Sequence, residues 1–120
     1  MLTLGTTVLG VDDVQRALAF WSRALGYVPR DPGPVVDSVI LVPPDGAAGA
    51  HLALDTLETR PQLQPRVHLD LYADDPQAEI DRLVGLGAEV VLGWQYPADA
   101  DFVVLSDPEG NRFCVVDKSK

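Results

Sequence analysis

The chain predicts an α+β fold, with paired βαβββ modules forming a curved mixed sheet and the helices on its convex side. Two observations carry that prediction. The sequence repeats itself: Asp12-Asp13 opens a helical stretch that closes at Leu25-Gly26, and Asp74-Asp75 opens another, 62 positions later, that closes at Leu86-Gly87. Each stretch also follows an apolar strand-like run and precedes further short strands, so the order strand, helix, three strands occurs twice. A duplication of this kind implies two half-sheets folded toward each other around a shared concave space, a shape suited to a small molecule.

The elements follow in order. Leu2 to Leu9, rich in Thr, Val and Leu, reads as the first strand. Asp12 or Asp13 supplies a helix N-cap, and Val14, Ala17, Leu18, Trp21 and Leu25 recur at helical spacing as one apolar face. Gly26 stands where a left-handed residue ends a helix. Tyr27-Val28, Val35 to Val42 and Ala50 to Asp55 are the next strands, separated by Pro- and Gly-containing turns. Module one therefore covers about residues 1–56, a linker with Pro61 and Pro65 covers 57–65, and module two covers about 66–120, all in one domain of 1–120.

Val67 to Ala73 opens module two with alternation: Val67, Leu69 and Leu71 on one face, His68, Asp70 and Tyr72 on the other. Asp75-Pro76 is a cap followed by proline at the first helical position, and Ile80, Leu83 and Val84 form the buried face. Ala88 to Leu92 and Asp101 to Leu105 are strands. Asp107-Pro108-Glu109-Gly110 has the residue order of a type I turn, so Arg112 to Asp117 pairs back as the last strand of a hairpin.

Composition removes several functions. The formal net charge is −9, with nine Lys and Arg scattered among eighteen Asp and Glu, which excludes a nucleic-acid partner that needs clustered cations. The sequence shows no secretory signal and no run of membrane-spanning length, so no membrane partner is expected. The single cysteine, Cys114, cannot form an internal disulfide, and a reduced cytoplasmic setting follows. Seven Arg against two Lys, with abundant Ala, Gly and Pro, points to a high-GC bacterial source. No phosphate-cradling glycine loop or nucleophile elbow is present.

At this point the residues resemble a known family. Ala17-Leu18-Ala19-Phe20-Trp21 leading to Leu25-Gly26-Tyr27 is similar to the first-helix signature of the vicinal oxygen chelate superfamily, which includes glyoxalase I, bleomycin-resistance proteins and extradiol dioxygenases. Val67-His68-Leu69-Asp70-Leu71 with Asp75 resembles its second-half opening. Asp107 to Cys114 resembles its terminal hairpin in the glyoxalase-like subgroup. The resemblance spans almost the whole chain. It implies a homodimer and, in the enzymes, a divalent metal held by strand residues of both halves. The metal positions fall on His68, which matches, on Thr6, which supplies no usual ligand, on Cys114, and near Ala50 or His51.

No facial His-His-Glu set can be assembled from these positions, and a catalytic metal needs three protein ligands. The expected cofactor is therefore none, with a divalent metal at His68 as the alternative, and no residue is assigned as catalytic. Thr6, His51, His68, Asp70, Tyr72, Trp94, Tyr96 and Cys114 are the candidate ligand-binding residues. Each has a plainer reading: His68 as a hydrogen-bonded strand residue, Cys114 as a small buried hydrophobe, Asp70 tied to a backbone group or to Arg112. Trp94 and Tyr96 lie in a loop-like stretch where aromatics either stack on a flat ligand or cover a sheet edge or a partner subunit. Three functions stay open: a metal-independent small-molecule-binding protein resembling the bleomycin-resistance binders; a metal-dependent or His68-based lyase, isomerase or dioxygenase; and a structural module whose hollow is filled by its own side chains.

Overall fold

The computed structural model describes residues 1–119, which form two compact units: Met1–Arg60, and the chain from Pro61 onward. The division falls inside the expected linker. Among the described residues no helix is long and apolar enough to cross a membrane.

The first unit contains β1 (Thr6–Val11), α1 (Val14–Leu25), β2 (Val28–Pro29), β3 (Ser38–Val42) and β4 (His51–Thr56). The second repeats the plan with β5 (Asp70–Ala73), α2 (Pro76–Leu86), β6 (Glu89–Val90), β7 (Phe102–Ser106) and β8 (Arg112–Asp117). The sheets have matching orders, β1-β4-β3-β2 and β5-β8-β7-β6. In each, the first and last strands pair in parallel and the remaining pairs are antiparallel. The paired βαβββ modules expected from the duplication are thus present, each with its own four-stranded mixed sheet.

The helix ends follow local chemistry. Asp13, not Asp12, is the cap of α1: its carboxylate accepts from the Gln15 and Arg16 amides at 3.0 and 3.1 Å. Asp75 does the same for α2 through Ala78, at 3.2 Å, with Pro76 in the first turn. Gly26 and Gly87 close the helices at φ of 69° and 119°, a region where a Cβ would strain the backbone.

Period-2 alternation then divides each sheet into two faces. In the first unit, Leu52 pairs with Leu41 and Leu54 with Val39, and all four are buried on the side where α1 packs, together with Ala17 and Trp21. Phe20, outside the predicted apolar face, is also buried; it meets Trp21 edge-on, with centroids 5.1 Å apart. In the second unit Ile80 and Leu83 pack toward β5 and β8, whereas Val84, expected in the same face, is 46% exposed. Its place on the helix leaves it at the edge of the packed stripe.

Strand ends depart from the sequence expectation for a shared reason. β1 starts at Thr6 because its partner strand starts opposite, at His51, and Leu2 and Leu4 are 99% and 95% exposed. β5 starts at Asp70 rather than Val67, so His68 precedes the strand, although the Leu69 carbonyl already accepts from the Cys114 amide at 2.9 Å. β6 is two residues long and Leu92 lies exposed beyond it. A strand extends only as far as its partner supplies backbone groups, and propensity cannot report that.

The turn before β8 fixes the hairpin. The Asp107 carbonyl accepts from the Gly110 amide at 3.0 Å, and the Asp107 carboxylate accepts from the Glu109 and Asn111 amides at 2.9 and 2.8 Å. Asp107 is only 3% exposed, so truncating it leaves two backbone donors without their acceptor. Asp107→Ala should lower the unfolding free energy by about 2 kcal/mol in urea titration. A loss under about 0.5 kcal/mol, the range of ordinary surface substitutions, would show that the turn does not hold the hairpin.

Candidate functional site

The second sheet carries a concave pocket on the face opposite α2. Register builds it row by row. Asp70 pairs with Cys114 and Cys114 with Val104; Tyr72 pairs with Val116 and Val116 with Phe102. These six side chains share one face, while Leu71, Val115 and Leu105 alternate to the helix side. With His68, Trp94 and Arg112 at its margins, the face encloses a cavity of about 710 Å³, within the range of small-molecule sites. Tyr72, 71% exposed, presents its ring at the rim.

A charged cluster sits in this pocket. His68 Nε2 lies 3.0 Å from Asp70 Oδ1, and Asp70 also accepts from the Cys114 thiol. Burial, then the Asp70 charge, then that hydrogen bond push the thiol up to about 11 from an ordinary 9.0. Asp70 is therefore partnered by His68 and the thiol, and not by Arg112. Cys114 is the small buried hydrophobe of the plainer reading, with a proton held by its neighbour.

The ligating atoms of His68, Asp70 and Cys114 lie within 4.8 Å of one another. His68 and Cys114 are two of the positions that the resemblance implied, and Asp70 joins them because it stands opposite Cys114. The set offers one imidazole, one carboxylate and one thiol. A metal-bound thiol must lose its proton, and without a metal burial and the Asp70 carboxylate hold that proton on. The equivalent places of module one hold a different set. There Thr6 takes the place of His68, and Ala53, opposite Val8, takes the place that Cys114 holds opposite Asp70. The register thus corrects the expectation of a ligand near Ala50 or His51. His51 stands opposite Thr6, the place equivalent to Arg112, and both His51 and Thr6 are half-buried.

The two loop aromatics have different roles. Trp94 is half-buried, packs with Phe102 and Val91 against the cluster of Val104, Cys114 and Val116, and lines the cavity. The Arg112 guanidinium lies 5.9 Å over its ring and donates from Nη1 to the Leu63 carbonyl. Tyr96 is absent from the cavity lining: its hydroxyl accepts from the Val104 amide at 2.8 Å, and its ring tilts against Phe102 at 5.4 Å. Because β6 stops at Val90, the Val104 amide lacks a strand partner there, and the tyrosine supplies one. The structure therefore gathers His68, Asp70, Tyr72, Trp94 and Cys114 in one pocket, assigns Tyr96 to the sheet edge, and pairs Thr6 with His51 in the first unit. Phe102, Val104 and Val116 complete the pocket. Alternation along the last two strands is the signal that finds them.

Comparison with known proteins agrees with this architecture. A family model described as a glyoxalase-like domain matches residues 6–116. No curated protein matches. Among solved structures, a glyoxalase/bleomycin resistance protein/dioxygenase family enzyme from Burkholderia phytofirmans PsJN superimposes with a TM-score of 0.73 at 15% identity, covering 95% of this chain and 97% of its own. A glyoxalase-related enzyme from Fulvimarina pelagi gives 0.70 at 16% identity, with 97% and 88% covered. TnmS3, an antibiotic binding protein from Streptomyces sp. CB03234, gives 0.65 at 24% identity, with 97% and 95% covered. At these identities the likeness is one of fold. The match over residues 6–116 settles the family: this chain belongs to the glyoxalase-like domain family of the vicinal oxygen chelate superfamily.

Proposed function

We propose that the protein binds a flat, largely apolar small molecule in the second module's pocket and sequesters it without a metal. The observation that carries this reading is the pocket itself: about 710 Å³, floored by Val104 and Val116 and walled by Phe102, Trp94 and Tyr72. Aromatic walls suit planar ligands through stacking and area burial. A ligand burying ~300 Å² of apolar surface gains about 7 kcal/mol from burial. Several of these are lost to immobilisation, so polar anchors must supply the rest, and His68 and Asp70 lie where one is needed. The solved structure named an antibiotic binding protein lends the reading further support. In the cell the protein is a cytoplasmic homodimer in this proposal, joined through edge strands such as β1 and β5.

A second reading is favoured by one contact, the 3.0 Å pair of His68 and Asp70. With Nε2 donating to the carboxylate, Nδ1 is left as an acceptor, the arrangement of an oriented general base. On this reading the pocket performs proton abstraction on its ligand.

Thermal-shift screening separates these outcomes. Flat aromatic natural products should raise the unfolding midpoint of the metal-free protein in proportion to occupancy, and the same preparation should sediment as a dimer. One tightly bound transition metal per subunit in native-source protein would overturn metal independence.

Replacing His68 by Ala should weaken binding by about tenfold, the loss of one polar anchor, and leave the fold intact by circular dichroism. Loss of turnover of a substrate found in that screen would instead establish the catalytic reading.

The thiol offers a check on the cluster. The folded protein holds the Cys114 proton up to about pH 11, while the unfolded chain releases it near 9.0. The stabilising difference is therefore complete below pH 9 and disappears as pH rises toward 11. The unfolding free energy of the wild type minus that of Cys114→Ala should fall by roughly 2 kcal/mol across that window. A flat difference would mean that neither burial nor Asp70 holds the thiol proton.

A further inference from the structure

We infer that Arg112, lying over Trp94, is an anion-reading subsite, and that the ligand is therefore a flat aromatic molecule bearing a carboxylate. The inference rests on the small-molecule reading above and deepens it by naming the ligand's charged group.

A second cavity of about 560 Å³ lies beside the pocket, and Gln64, Trp94 and Arg112 line both. Its other walls are apolar or uncharged, Leu63, Val91, Leu92 and Gln95 among them. Arg112 is the one charged residue in that lining, in a chain whose net charge is −9. Its guanidinium donates to the Leu63 carbonyl and covers the Trp94 ring, and among the described residues no carboxylate pairs with it. Of five N–H donors, four are left for a ligand. The Trp94 ring beneath it and the Leu63 carbonyl restrict the fork, so less side-chain freedom is lost when it engages a carboxylate.

Register also orders the charges along the pocket. Arg112 stands at the Ser106 end of the β7–β8 ladder. Asp70 lies opposite Cys114 in the middle, and Asp101, whose main-chain carbonyl accepts from the Asp117 amide, stands at the far end. An anionic substituent is repelled by Asp70 and Asp101 and attracted to Arg112, so the ligand's ring lies over Val104 and Phe102 with its acid toward Trp94. Gln64, lining both cavities, can add a hydrogen bond to the same group.

Calorimetric titration of the full chain with 2-naphthoate and its neutral isostere 2-naphthamide tests this. Wild-type protein should bind the acid at least about tenfold more tightly than the amide, the ~1.4 kcal/mol that a hydrogen bond to a charged group supplies. Arg112→Gln should bring the acid to the amide's level without moving the amide, and Arg112→Lys should restore only part of the preference. Thermal unfolding of both variants checks that the fold is kept. Equal binding of acid and amide by the wild type, or a preference that survives in Arg112→Gln, overturns the subsite while leaving the pocket reading intact. Failure of both compounds to bind overturns the pocket reading and the subsite together.

Discussion

The register of β8 between β5 and β7 is the constraint on which the pocket depends. In the second sheet β8 has a parallel partner on one side and an antiparallel partner on the other, as β4 has in the first. Its odd and even residues divide the sheet: Arg112, Cys114 and Val116 enter the pocket face, while Phe113 and Val115 are almost wholly buried in the core. A slip of one residue would exchange the two sets, placing an arginine against α2 and a phenylalanine beside Asp70. The Asp107 turn and the core demand for Phe113 and Val115 both act against that slip. Stability and site geometry are thus enforced by the same strand.

The duplicated modules share a scaffold and differ in chemistry. At equivalent places the first has Thr6, Ala53 and His51 where the second has His68, Cys114 and Arg112. Val8 stands where Asp70 stands. The helix-side residues keep their apolar character in both, because each sheet must cover its own helix. Divergence has collected on the opposite faces, where side chains are free of that demand. The second module has thereby acquired an acid, an imidazole, a thiol and a guanidinium within one wall of aromatic and aliphatic side chains.

Within that wall, Asp70 governs the electrostatics. It accepts from both His68 and Cys114, so one carboxylate orients the imidazole and adds to the burial that keeps the thiol protonated. A protonated, buried thiol is a weak nucleophile and a reluctant metal ligand. The polar work of the pocket then falls to His68, Asp70 and Arg112, which differ in charge and are spaced along the sheet. Such spacing favours a ligand with distinct polar ends over a uniformly apolar one.

Much of this architecture was legible in the chain because its signals are local. Asp13, Asp75, Gly26 and Gly87 act on backbone groups within a turn of themselves, and the Asp107 turn is complete within five residues. Their spacing alone determined the duplicated strand-helix-strand order. What required the tertiary structure was every relation between distant segments. The sequence offered a backbone group or Arg112 as the partner of Asp70, yet Cys114 lies opposite and His68 folds back onto it. Tyr96 was a candidate for the ligand, yet it fills a backbone vacancy left by the short β6. Leu2 and Leu4 have strand-forming side chains but no strand beside them. Local residues specify their own turns and caps; pairing depends on where another segment's amides and carbonyls arrive, and no single stretch of sequence carries that.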